Sequence, residues 1–265
     1  MKKNLWNRAE SRSSPAARYD DSIYLSIKDY GAESKKLMAC IREHRRSTGN
    51  RLLDVACDTG LHLSHLKAHF EVEGLDLDEA MLTIARQRNP SVAFHRADMT
   101  EFSLGRTFDI VTCLLSAIGY VKTLDEVRRA VQCMARHLAP GGLVIIEPWF
   151  TPDTWHAPSV HAVLVDEPDL KIARINTSFV AGRLSYFDLH YLLGTLEGTE
   201  HVVEHHELGL FPTDEMTKVL TDSGFEVTYD AEGLMISCTV NQNTSHHNAS
   251  CLIKHGILIP GKAPR

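Results

Sequence analysis

The sequence predicts an α/β fold: a Rossmann-like, seven-stranded, doubly wound sheet with an antiparallel β insert after the fifth strand. Three observations carry that prediction. Leu52-Leu53-Asp54-Val55-Ala56-Cys57-Asp58-Thr59-Gly60 is a short apolar run that ends in a turn of small residues and leads into a helix-like segment, 61–70. Glu71-Val72-Glu73-Gly74-Leu75-Asp76 is a second strand, ending in an acid roughly twenty residues beyond Asp54. Strand-length apolar runs then alternate with segments of helical period as far as Glu147, the pattern of a parallel sheet covered on both faces.

Each element follows in order. Residues 29–45 read as a helix leading into the first strand. The strand, tight turn and helix around Asp58 bring backbone N–H groups and a helix N-terminus up to a ligand. Asp78 is a natural N-cap for a helix that opens just after Asp76. Residues 92–95 form a short strand, with Ala97-Asp98-Met99 placing an acid in the loop beyond it. Residues 108–113 read as a buried strand, and 124–138 as a helix stopped by Ala139-Pro140-Gly141-Gly142 before a strand at 143–147.

After Glu147 the alternation breaks at Pro148, Pro152 and Pro158. Residues 160–165, 171–175, 184–192 and 201–208 then alternate like short strands, which predicts an antiparallel cover over the carboxyl ends of the main sheet. The core resumes with a helix at 213–223, a strand at 225–229 and a last strand near 234–240. The expected organisation is a mobile arm (1–18), a cofactor-binding core (19–147), an insert over the active site (148–210), a return to the core (211–240) and a disordered tail (241–265).

Glycine content decides which cofactor suits the first turn. A pyrophosphate-binding turn takes G-x-G-x-x-G, but the corresponding residues here are Ala56, Asp58 and Leu61, and Gly60 is the turn's single glycine. Asp58 sets a negative charge where a pyrophosphate would lie, which argues against NAD or FAD. S-adenosylmethionine (SAM) has no phosphate and carries a sulfonium and an ammonium, so it tolerates nearby carboxylates. Asp76 stands where a carboxylate meets the two hydroxyls of a ribose, and Asp98 where one meets the adenine amino group.

These segments, with Phe108-Asp109, Pro140-Gly141-Gly142, Glu147-Pro148-Trp149, Ser116-Ala117-Ile118-Gly119-Tyr120 and the lead-in from Tyr19 to Tyr30, resemble the class I SAM-dependent methyltransferases. More narrowly, they are similar to the dTDP-aminosugar N,N-dimethyltransferases of macrolide biosynthesis, over roughly residues 19–234. The resemblance implies SAM as cofactor. It implies contacts from Tyr19, Tyr24, Ala56, Cys57, Asp58, Gly60, Asp76, Leu77, Met81, Asp98, Met99 and Leu114, with Tyr19 and Tyr24 closing over the methyl group.

Two departures stand out. Asp58 replaces the glycine of most relatives, in a turn whose backbone glycine adopts freely and Asp adopts at a cost. The family's Gly-Arg-Gly run before the last strand, suited to a sugar-nucleotide diphosphate, is here Gly233-Leu234-Met235-Ile236, without arginine.

Composition excludes several classes. A formal charge of −6 and a pI near 6.2 give no basic field for nucleic acid. No apolar stretch approaches the ~20 residues needed to cross a bilayer, and the polar N-terminus is no secretory signal. The six cysteines, at 40, 57, 113, 133, 238 and 251, include no C-x-x-C pair and read as reduced thiols of a cytoplasmic protein. No metal is expected, because 201–206 splits its histidines and Glu204 between two strand faces.

Because the donor's methyl carbon is already activated, catalysis reduces to orienting a nucleophile and managing its proton. Tyr120, Glu147 and His190 are the candidates for the second task, and Trp149 and Tyr191 read as packing residues. The expected activity is N-methylation of a small-molecule amine such as an amino sugar; a homodimer stays open. The alternatives are intramolecular alkylation releasing methylthioadenosine and a degenerate, non-catalytic SAM fold.

Overall fold

The computed structural model describes residues 17–230, 235–238 and 249–254. Two helices lead in. These are α1 (Ala17–Leu25) and α2 (Tyr30–His44), the latter capped by Asp29, whose carboxylate accepts from Ala32 N. The core then alternates β1 (Arg51–Val55), α3 (Leu61–Leu66), β2 (Glu71–Asp76), α4 (Glu79–Arg88), β3 (Ala93–Arg96) and β4 (Phe108–Cys113). A 3-10 turn (Ala117–Val121), α5 (Leu124–Arg136) and β5 (Leu138–Ile146) follow. These five strands are parallel, in the order β5-β4-β1-β2-β3. All six residues of β4 are buried, as a strand covered by helices on both faces requires. The chain leaves β1 toward β2 on one side and returns to β4 on the other, so a crevice opens at the carboxyl end of β1.

Two boundaries differ from the sequence reading. Helix α3 ends at Leu66, not near 70. Ala139-Pro140-Gly141-Gly142 lies inside β5, not between helix and strand. The pairing with β4 shifts register there, and Gly141 takes φ +74°, so proline and glycine are absorbed by a bulge.

The second sheet is a meander of β6 (Ser159–Asp166), β7 (Leu170–Ala181), β8 (Leu184–Thr195) and β9 (Gly198–Gly209), antiparallel throughout. One face buries Ile172, Arg174, Asn176, Ser178, Tyr191, Leu193, Val202 and Leu208, while Val160, Leu164, Ile175 and Leu192 on the other face stay exposed. Ile23 of α1 is fully buried against Val163, Val165 and Tyr191, which joins the lead-in helix to this sheet. At the other end Trp149 packs with Leu208 and Leu210.

The chain returns through α6 (Thr213–Asp222), β10 (Phe225–Asp230), β11 (Met235–Cys238) and β12 (Ala249–Lys254). Among the described residues the main sheet therefore has eight strands, not the expected seven. β12 runs parallel to β5, pairing Ser250–Ile253 with Leu143–Ile146, so the expected disordered tail does not hold for 249–254. The edge of β5 needs a backbone partner, and the apolar run Cys251-Leu252-Ile253 is too short to register against its polar surroundings. The rest of 241–265 and residues 1–16 of the expected arm lie outside the described residues, while Ala17 and Arg18 of that arm already belong to α1. Among the described residues no helix is long and apolar enough to cross a membrane.

Candidate active site

The turn after β1 is built on left-handed backbone: φ is +57° at Ala56, +54° at Asp58 and +72° at Gly60. Left-handed geometry at two non-glycine residues costs about 1 kcal/mol each, so tertiary bonds must hold it. Cys57 N donates to Leu75 O (3.0 Å), and Asp58 N to Asp76 Oδ2 (2.9 Å). Asp76 Oδ1 accepts from Asp78 N (2.9 Å), so both carboxylate oxygens are fixed by backbone at the end of β2. Gly74 permits the close approach, since a Cβ there would meet Phe94 at 2.6 Å and Cys57 Sγ at 2.8 Å. Burial raises the Asp76 carboxyl, and the N–H groups of Asp78 and Asp58 lower it again. Beneath, Asp54 accepts from Thr112 Oγ1 (2.6 Å), and burial pushes its carboxyl up to about 7.

Other predicted cofactor residues lie on the segments that follow β2, β3 and β4. Leu77 follows Asp76, and partly buried Met81 stands in the first turns of α4. Ala56 and Met99 pack against the main core, and Leu114 is buried past the end of β4. Asp98 Oδ1 accepts from Thr100 N and Oγ1, both at 2.8 Å, which fixes the loop after β3.

At the ends of β4 and β5, Glu147 is buried and accepts from Leu115 N (3.1 Å). Leu115 (φ +52°) and Ser116 (φ +57°) are also left-handed, and Ser116 Oγ donates to Pro148 O (3.0 Å). Glu147 therefore acts on the turn that presents Tyr120. Tyr120 is 48% exposed, and its hydroxyl meets His206 Nδ1 at 2.7 Å.

The upper wall comes from α1 and the antiparallel sheet. Asp21 of α1 binds Thr59 Oγ1 (2.7 Å) and pairs with Arg88, which also donates to Thr59 O. This latch seats Asp20 and Tyr24 over the turn. Asp20 and Asp58 share a hydrogen bond, so the pair holds a proton. Burial and Glu204 push Asp20 up to about 7 against the pull of Arg174; burial and Asp20 raise Asp58 well above the carboxylate range. Arg174 is buried with its charge 5.9 Å from the Tyr24 ring, and its Nε has no hydrogen-bond partner among the described residues. Tyr19 packs with Ile23 and Tyr191.

Three acids (Asp20, Asp58, Glu204) face one guanidinium, and the proton shared by Asp20 and Asp58 can be given up when a cation arrives. This donor set fits SAM: a ribose acid fixed by backbone, no cluster of cations for phosphates among the described residues, and acids that would suit a sulfonium and an ammonium.

Of the catalytic candidates, Tyr120 and Glu147 are linked through the turn at Leu115 and Ser116. His190 is not: it lies on the exposed face of β8, 3.3 Å from His201, because odd residues of that strand such as Tyr191 face inward. The sequence reading missed Asp20, Arg174, Glu204 and His206. Alternation within 201–206 put Glu204 and His206 on one face, but nothing in it marked that face as the inner one.

A methyltransferase domain family matches residues 52–142. The chain is 39% identical over 204 residues to the dTDP-3-amino-3,6-dideoxy-α-D-glucopyranose N,N-dimethyltransferase of Streptomyces fradiae, covering 76% of this chain and 80% of that protein. It superposes on the crystal structure of Streptomyces venezuelae DesVI with a TM-score of 0.80 and 35% identity, covering 86% and 99% of the two chains. SAM-bound CalS10, an amino pentose methyltransferase from Micromonospora echinaspora, gives a TM-score of 0.76 and 33% identity over 91% and 100%.

Proposed function

Because the chain belongs to the SAM-dependent methyltransferase family that includes the dTDP-aminosugar N,N-dimethyltransferases, we propose that it methylates the amine nitrogen of an amino sugar. The observation that carries this reading is the group of acids Asp20, Asp58 and Glu204, brought together where α1, the cofactor turn and the antiparallel sheet meet. It suits a cationic donor and an acceptor that arrives as an ammonium ion.

When bound, SAM supplies a methyl carbon activated by its sulfonium. Asp76 would hold the ribose hydroxyls and Asp98 the adenine end, while Tyr19 and Tyr24 would close over the methyl group. Glu147 positions the turn of Tyr120, and residues 148–210 choose the acceptor. Neither intramolecular alkylation nor a non-catalytic role has a specific observation in its favour.

Incubating the protein with SAM and dTDP-3-amino-3,6-dideoxyglucose, alongside the free amino sugar, tests the reading. Acceptor carrying one and two added methyl groups, with S-adenosylhomocysteine formed in step, is expected. Methylthioadenosine, or no product from either acceptor, would overturn it.

A further inference from the structure

Four side chains on the inner wall form one continuous run. The Tyr120 hydroxyl lies 2.7 Å from His206 Nδ1, and His206 Nε2 lies 3.5 Å from Glu204 Oε2. The Tyr191 hydroxyl donates to that same Oε2 at 3.1 Å. Glu204 and His206 stand two residues apart on β9, so they share a face. Phe187 stacks on the imidazole, 5.1 Å between centroids and 4° from parallel, and fixes the ring plane.

The hydroxyl can only donate to Nδ1 if the ring proton sits on Nε2, which has no hydrogen-bond partner among the described residues and meets Glu204 as a charge contact once the ring is protonated. A hydroxyl, an imidazole and a carboxylate in that order let the imidazole take a proton through the hydroxyl while the carboxylate stabilises the cation formed. The phenol does not serve as the base by resting as phenolate. Desolvation of its hydroxyl end, together with Tyr24, Glu204, Asp20 and Asp58, raises Tyr120 well above its usual value although about half of the residue's surface is open.

We propose that Tyr120, His206 and Glu204 form a proton relay that deprotonates the acceptor amine, an inference that rests on the methyl-transfer reading above. Tyr120 takes a proton from the acceptor ammonium as its own proton passes to His206 Nδ1. The freed nitrogen lone pair forms the N–C bond while the S–C bond breaks and its electron pair stays on sulfur. His206 Nε2 is buried, so the imidazolium returns its proton through Nδ1 and the half-exposed Tyr120 before a second methylation. Tyr120 touches the acceptor; His206 and Glu204 are positioning residues acting through it.

The test compares Tyr120→Phe, His206→Asn and wild type with SAM and dTDP-3-amino-3,6-dideoxyglucose across pH. Asn keeps an acceptor oxygen for the Tyr120 hydroxyl but cannot hold the proton. Both variants should lose about a hundred-fold in kcat near neutral pH, keep SAM affinity within about two-fold, and recover as rising pH deprotonates the amine in solution. Active variants within a few-fold of wild type, or a loss that pH does not relieve, would overturn the relay and leave the methyltransferase reading intact. An inactive wild type would instead count against that reading. Ring nitrogen NMR of His206 tests the relay without turnover: a proton on Nε2 is expected, with Nδ1 shifting in Tyr120→Phe, and a proton on Nδ1 would overturn it.

Discussion

The two walls of the cavity are made differently. The lower wall, the carboxyl ends of β1 and β2, uses backbone: left-handed residues and N–H groups hold Asp76 by both oxygens. The upper wall, the inner face of β7–β9, uses side chains brought together across strands, with Arg174 opposite Tyr191 and Phe187 opposite His206. A backbone wall fixes a ligand common to a family. A side-chain wall can be rewritten one residue at a time without refolding the sheet, which suits the choice of acceptor.

The division makes separable predictions. Asp76→Ala breaks the lower wall and should give the largest effect. Two charge-assisted bonds to the ribose are worth roughly 1.5–3 kcal/mol each, so SAM affinity should fall by about three decades in calorimetric titration. Unchanged affinity would remove Asp76 from the cofactor site.

Trp149→Ala attacks the upper wall where it docks. Trp149 is buried among Phe150, Trp155 and Phe187, and its Nε1 donates to Ser185 Oγ (2.8 Å), which in turn donates to Leu208 O. Loss of such a ring costs about 3 kcal/mol of stability, readable by denaturant titration. SAM affinity should stay within about three-fold while the acceptor KM rises. Collapse of SAM binding in a folded variant would mean that the second sheet belongs to the donor site as well.

The same division explains what could be read in advance. The turn at 56–60 and Asp76 were legible because the backbone geometry they need restricts residue type, and that restriction sits in adjacent positions of the sequence. Arg174, Glu204 and His206 were not, because their meeting depends on the register of β7, β8 and β9 and on which face of that sheet turns inward. His190 was chosen from the same segment and fell on the wrong face for that reason. Asp20 was hidden too, since only the latch between Asp21, Arg88 and Thr59 seats α1 over the turn.

Protonation couples the walls. Asp20 and Asp54 are both raised from an ordinary 3.8 to about 7 in the folded chain. A carboxyl with a raised folded pKa gives stability that is present below pH 4 and lost as pH rises through 7. Asp20 is partly exposed and shares its proton with Asp58, so the loss should be about 2 kcal/mol, well short of the two full shifts. Thermal melts of the ligand-free protein should therefore fall from pH 5 to pH 8, and added SAM should flatten the slope by supplying positive charge. A melting temperature that rises over that window would show that the acids are ionised in the resting protein.

Asp58→Gly tests a residue at which the walls touch. Its left-handed φ of +54° is now explicit, and glycine would release about 1 kcal/mol of strain there. Removing the acid also deletes the hydrogen bond from Thr59 N to Asp58 Oδ1 (2.6 Å) and the repulsion with Asp20. A carboxylate at this point repels the methionine carboxylate of SAM and attracts its ammonium. Repulsion at ~4–6 Å in a partly solvated site costs roughly 1–3 kcal/mol, of which the ammonium recovers part. The expected balance is about ten-fold tighter SAM binding, with stability at least equal to wild type and a shallower pH slope. Weaker binding in Asp58→Gly would instead make the Asp20–Asp58 pair the seat of the ammonium, and the departure from glycine a gain in donor recognition.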